Sequence, residues 1–165
     1  MMTDPLRRTT PGPDHIDTVW KRLTAQANAA FDANDLARAQ PLYDRALREA
    51  QWRFRTDRDS ATLAGAPPML VAASANAADC HARAGMLTKA AQLTFDTLDA
   101  LRDAMSTVTE PPAFRRACFR HLKPALCDYA HCAGNAWIAP ALTRQTVLRT
   151  RDAALAFVSE NRTRH

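Results

Sequence analysis

Cysteine and histidine concentrate in one stretch of the chain: Cys118, His121, Cys127, His131 and Cys132, with Cys80 and His81 upstream. Cys118 and His121 stand at i,i+3 and Cys127 and His131 at i,i+4, so on a helix each pair shares a face. Thiolate and imidazole at that spacing are ligands that zinc and copper take. Pro124 falls between the two pairs, however, and a proline inside a helix removes a backbone hydrogen bond and bends the axis. No Cys-x-x-Cys or Glu-x-x-His accompanies the set. Cysteine is also among the residue types most often buried in ordinary cores. The four cysteines therefore read as reduced, buried thiols, and no metal or other cofactor is expected. If a metal is held, Cys118, His121, Cys127 and His131 are its candidate ligands.

Other chemistries leave less trace. The chain has no Ser–His–Asp order, no phosphate-cradling glycine loop and no paired inward carboxylates, so a noncatalytic role is expected. Its net charge is +5, carried almost wholly by arginine, since lysine occurs only at Lys21, Lys89 and Lys123. That balance suits an acidic partner without requiring nucleic acid. Arginine richness beside alanine richness, a bacterial-like composition, can also reflect the genome. Trp52-Arg53-Phe54-Arg55, followed by Arg58, interleaves aromatics with arginine as single-stranded nucleic-acid binders do. The plainer reading puts Phe54 in the core and the arginines in water.

These residues must be positioned by helices. Only four glycines and few β-branched residues argue against sheet. At 165 residues, a single domain with a substantial core is expected. No run of about 18 apolar residues exists to cross a membrane. Arg7 and Arg8 are followed by no apolar stretch, so the start does not read as a secretory leader and a cytoplasmic location is expected. Apolar stripes define six helices. The first begins after a cap at Asp14 and carries Ile16, Val19, Trp20, Leu23, Ala27, Ala30 and Phe31. The second follows a cap at Asp35 and contains Pro41. A loop from Ser60 to Pro68 leads to a third over about 69–84, with Leu70, Ala73, Ala77, Cys80, His81 and Ala84 inward. The fourth is capped by Thr88. The fifth, capped by Thr109, ends at Gly134. The sixth puts Leu148, Leu155 and Val158 inward, with Arg144 and Arg151 outward. Residues 1–13 read as a flexible tail and 161–165 as a frayed one.

A turn recurs at Asn34-Asp35-Leu36-Ala37-Arg38-Ala39, Gly85-Met86-Leu87-Thr88-Lys89-Ala90 and Gly134-Asn135-Ala136-Trp137-Ile138-Ala139. Each opens with Asn or Gly, which tolerate the left-handed backbone that ends a helix. The turns fall at 34, 85 and 134, in steps of 51 and 49. Seven residues before them stand Ala27, Ala78 and Cys127, all small; thirteen after come Leu47, Leu98 and Val147, all aliphatic. In the first unit Ala27, Phe31, Asn34, Ala39, Tyr43 and Ala46 follow the motif of the tetratricopeptide repeat, which the chain resembles. The second unit keeps Ala78, Gly85 and Ala90, and the third keeps Gly134 and Ala139. The family repeats every ~34 residues, so longer helices or loops must supply the difference.

The resemblance implies an all-α protein: three antiparallel helix pairs stacked as a right-handed, tetratricopeptide-like superhelix over residues 14–160. Its repeats would cover about 14–57, 69–106 and 111–159. It also implies a concave groove for a protein or peptide partner. Six residues before the turns stand Asn28, Asp79 and Asp128, a polar line at the groove position, with Lys21, Thr24, Asn76, Arg83 and His131 nearby. Asn28 and Asn76 fall where family members that clamp a terminal carboxylate place Asn, but Thr24 stands where the clamp needs Lys. The plainer reading makes all of these the wet face of amphipathic helices. The expected function is a noncatalytic adaptor that docks a protein segment. The alternatives are nucleic-acid binding through an arginine face and metal binding by the His/Cys set. A homodimer would cover the alanine-rich end helices.

Overall fold

Asn34 (φ 59°) and Gly85 (φ 81°) adopt the left-handed conformation required at a helix C-terminus, and Trp137 (φ 56°) is the third residue to do so. The computed structural model describes residues 13–59 and 62–162, with side chains from Val19 onward. Within it the three turns close with one hydrogen-bond pattern. The Asp35, Met86 and Ile138 amides donate to the Ala30, His81 and Ala133 carbonyls, while Asn34, Gly85 and Trp137 donate to Phe31, Ala82 and Gly134. These paired bonds satisfy carbonyls that a helix end leaves open.

Six α-helices result: α1 (Pro13–Asp32), α2 (Leu36–Thr56), α3 (Ala66–Arg83), α4 (Leu87–Ser106), α5 (Pro112–Asn135) and α6 (Pro140–Arg162). Among the described residues there is no strand. The helices run from 18 to 24 residues, and this length carries the repeat beyond the ~34-residue period. Each helix packs on the next in the chain, α3 also touches α5, and α4 also touches α6.

Alanines at the crossings let the axes approach closely. Ala27, Ala39, Ala50, Ala77 and Ala133 are inaccessible to solvent. Larger side chains fill the remaining space, with Leu98, Leu101, Met105 and Phe114 fully buried and Phe54 tilted against Phe114 at 5.2 Å. Burying a side chain of that size contributes roughly 1.5–3 kcal/mol. Apolar stripes at 3–4-residue spacing face this core from α2 (Ala39, Tyr43, Ala46, Leu47, Ala50 and Phe54), α4 (Ala90, Leu98, Leu101 and Met105) and α5 (Phe114, Cys118, Leu122, Ala125, Tyr129 and Ala133).

Several local expectations are corrected. Trp137, not Gly134, is the third turn residue: α5 continues through Gly134 to Asn135. The turns therefore fall at 34, 85 and 137, steps of 51 and 52. The thirteenth residue after the third is then Thr150, which is buried, and not Val147, which is exposed. The same shift of register turns Leu148 and Leu155 outward and leaves Thr146, Thr150 and Phe157 as the buried face of α6. Val158 is only half-buried and Ala84 is exposed.

Pro67 and Pro68 lie in the first turn of α3, not in a loop, because that position needs no amide donor. Thr88 and Thr109 do not cap: Met86 and Pro111 occupy the N-cap positions, without side-chain bonds. Asp35 does cap α2, accepting from the Arg38 amide at 3.1 Å. Asp14 lies inside α1, which starts at Pro13; Asn161 and Arg162 continue α6. Residues 1–12 of the tail expected over 1–13, the side chains of Asp14 and Ile16, the loop residue Ser60 and residues 163–165 of the tail expected over 161–165 lie outside the described residues.

Candidate functional site

α3 and α5 lie side by side with α4 beneath them, and between the three opens a cleft of about 230 Å³. Its shape follows from small side chains, Ala75, Ala78, Ala82 and Ala90, which leave space where larger residues would close it. Asp79 enters from α3, and Asp128, His131, Cys132 and Asn135 enter from α5. The four α5 residues stand at i, i+3, i+4 and i+7, one face of a helix. Thr94 lies on the α4 side, its hydroxyl donating to the Ala90 and Ala91 carbonyls at 3.1 and 3.0 Å.

The electrostatics of the cleft are acidic. No Lys or Arg lines it. Burial pushes the Asp128 carboxyl above its ordinary value, and the nearby His131 only partly opposes that. A carboxylate with too little solvation is one that a cation would stabilise. Burial likewise raises the Cys132 thiol, which its hydrogen bond with Thr94 partly offsets. His131 Nε2 meets the Asn135 amide at 3.0 Å.

Of the expected groove residues, three meet here: Asp79, Asp128 and His131. The corrected turn register makes His131, six residues before Trp137, the counterpart of Asn28 and Asp79. Asp128 reaches the same cleft from one turn earlier. The other five do not line it. Asn28 is exposed, and its amide oxygen accepts from the Tyr43 hydroxyl at 2.7 Å, tying α1 to α2. The Arg83 guanidinium lies over the Phe31 ring at 4.7 Å. Lys21 is exposed; Thr24 and Asn76 are half-buried.

A second cleft, of about 490 Å³, separates α4, α5 and α6. Phe95 and Tyr129 floor it with rings 5.5 Å apart, and Ile138, Leu142, Arg102 and Arg149 stand around it. Sequence reasoning missed it. Phe95 lies off the α4 stripe, the one signal that pointed to it.

Residues 18–158, nearly the whole helical array, match the family model described as "Protein of unknown function (DUF2753)". The chain belongs to the DUF2753 family. No curated protein and no solved structure matches it.

In this DUF2753 protein the His/Cys set is dispersed. Cys118 is fully buried, and burial pushes its thiol up to about 12, which keeps it protonated and unreactive. His121 is half-buried, its imidazole held below the ordinary value by burial and by Arg120. Cys127 is exposed, correcting the expectation that all four thiols are buried, and Cys132 is half-buried; all four are free thiols. His81 serves packing: its ring meets Asp44 at 3.0 Å through Nε2 and Gln40 at 3.2 Å through Nδ1, joining α3 to α2. A ring protonated at Nε2 satisfies both contacts. Among the described residues no three His, Cys, Asp or Glu side chains come together as a metal would need.

The arginine-rich end of the DUF2753 α2 is drawn partly inward. Arg58 pairs with Glu110 through two bonds of 2.6 and 2.7 Å and lies over Phe114. Arg53 is buried between Glu49 and Asp57. The expectation that these arginines are solvated therefore holds only for Arg55, while Phe54 is in the core as read and Trp52 is half-exposed.

Proposed function

We propose that this protein is a noncatalytic adaptor that docks a protein segment in the cleft between α3 and α5. A lysine or arginine of that segment enters between Asp79 and Asp128. The observation that carries the reading is the pair of carboxylates lining one cleft from two helices, with Asp128 under-solvated and no Lys or Arg in the lining. Groups with shifted ionisation in a cleft mark functional sites, and an alanine-lined slot suits a narrow aliphatic stem behind a charged head. Six helices packed in sequence are compatible with a helical repeat, and that supports the same reading, because segments dock along the inner helices of such arrays.

Selection of displayed peptides on the purified protein tests this. Enriched sequences should share a Lys or Arg, and Asp79→Asn with Asp128→Asn should weaken their binding at least tenfold without loss of stability. Enrichment of sequences without a basic residue, or binding indifferent to the double substitution, would sink the proposal. Binding only to nucleic acid, falling steeply with salt, would favour an arginine face instead.

A further inference from the structure

We infer that the outer face of α6 is a self-association surface, on which a second copy of this chain docks with its own α6 running antiparallel. The inward face of α6 is narrow: Thr146, Thr150 and Phe157 are its buried residues. At 100° per residue, Leu148 points almost directly away from all three. Leu148 is 41% exposed and Leu155 59%. Ala141, Arg144 and Asp152 share their side of the helix and are exposed as well. These five stand at −7, −4, 0, +4 and +7 relative to Leu148, within a narrow strip along the axis.

That spacing is symmetric about Leu148, and the chemistry is complementary across the symmetry. In an antiparallel pair centred on Leu148, a residue n places before it faces the residue n places after it in the other copy. Leu148 then meets itself at the two-fold axis. Arg144 meets Asp152 of the second copy, and Ala141 meets Leu155, small against large. Each match occurs twice, as a two-fold contact requires. Both bonds that Asp152 accepts from Arg151 of its own helix, at 3.0 and 2.8 Å, go to Oδ1, and its side chain is 63% exposed, so the carboxylate stays accessible to Arg144 of the second copy. Charge and size together identify the occupant: a strip that is its own complement fits a second copy of itself.

Light scattering at rising concentration tests this. The intact chain should reach twice its 18.2 kDa. Arg144→Asp places Asp opposite Asp, and Asp152→Arg places Arg opposite Arg. Each alone should raise the dimer Kd roughly a hundredfold. An equimolar mixture of the two variants should dimerise again, because both charge pairs then re-form between unlike partners. Leu148→Glu, at the axis, should also be monomeric, and circular dichroism should show unchanged helicity in all three. A wild type that stays monomeric at millimolar concentration would overturn the inference. So would a dimer that survives both reversals, or a mixture that stays monomeric.

Discussion

Gly85 holds φ at +81°, and a Cβ built there meets no atom within 4 Å, so the conformation and not crowding is what a substitution would disturb. Gly85→Val should therefore destabilise the fold by about 1–2 kcal/mol. Gly134 is different. It lies inside α5, and a Cβ there also enters open space. Gly134→Ala should raise stability by roughly 0.5–1 kcal/mol, since alanine loses less entropy in a helix. Trp137 carries the left-handed strain at the third turn with a side chain 91% exposed. Trp137→Gly should therefore stabilise by about 1 kcal/mol. Urea melts of the three variants check the set; destabilisation by Gly134→Ala would mean that the third turn is misplaced. The first two turns were readable because Asn and Gly signal positive φ. The third was hidden because tryptophan does not, and a nearby Gly offered a false substitute.

At the scale of the element, α6 is fastened chiefly near its end. Arg115 of α5 is buried, donates to the Met105 carbonyl at 2.7 Å, grips Glu160 at 2.6 and 3.1 Å and lies over the Phe157 ring. Phe157 in turn stacks on Phe119 at 5.1 Å. Arg115→Met would remove the donor of the Met105 carbonyl and the two-bond grip on Glu160, at a cost of about 2–3 kcal/mol. Glu160→Gln keeps an acceptor for Arg115 and should cost less. Hydrogen exchange should show the Arg115→Met loss concentrated in α6; a loss spread evenly over all helices would contradict this fastening. Element identity was legible throughout, because stripes at 3–4-residue spacing in α2, α4 and α5 match the buried faces. The inward face of α6 was not. Two of its three buried residues are threonines, which carry no apolar signal, while its leucines point outward.

For the whole molecule, the cleft between α3 and α5 takes no lining residue from α6, whereas the proposed self-association surface lies wholly on α6. Docking and dimerisation should be thermodynamically separate. Calorimetry should give two basic peptides per dimer and the same affinity for Arg144→Asp as for wild type; a tenfold difference would show that the surfaces communicate. The candidate cleft was half legible in the sequence. Repeat spacing pointed to Asp79, and helix periodicity brings Asp128, His131, Cys132 and Asn135 onto one face. What spacing alone could not show is that Asn28 is occupied by Tyr43 and Arg83 by Phe31, because both contacts cross between helices.

The narrow inward face of α6 also sets an order of disassembly. Three buried side chains and one arginine clamp hold it, against the long alanine-rich seams that bind α2 to α5 to one another. Local opening follows the number of buried contacts that must break. Thermal fluctuation should thus release the last helix while the other five stay closed, loosening the Trp137 turn and uncovering the Phe119 ring. A protease that cuts at that turn once α6 is released would leave a five-helix remainder that still carries the acidic cleft.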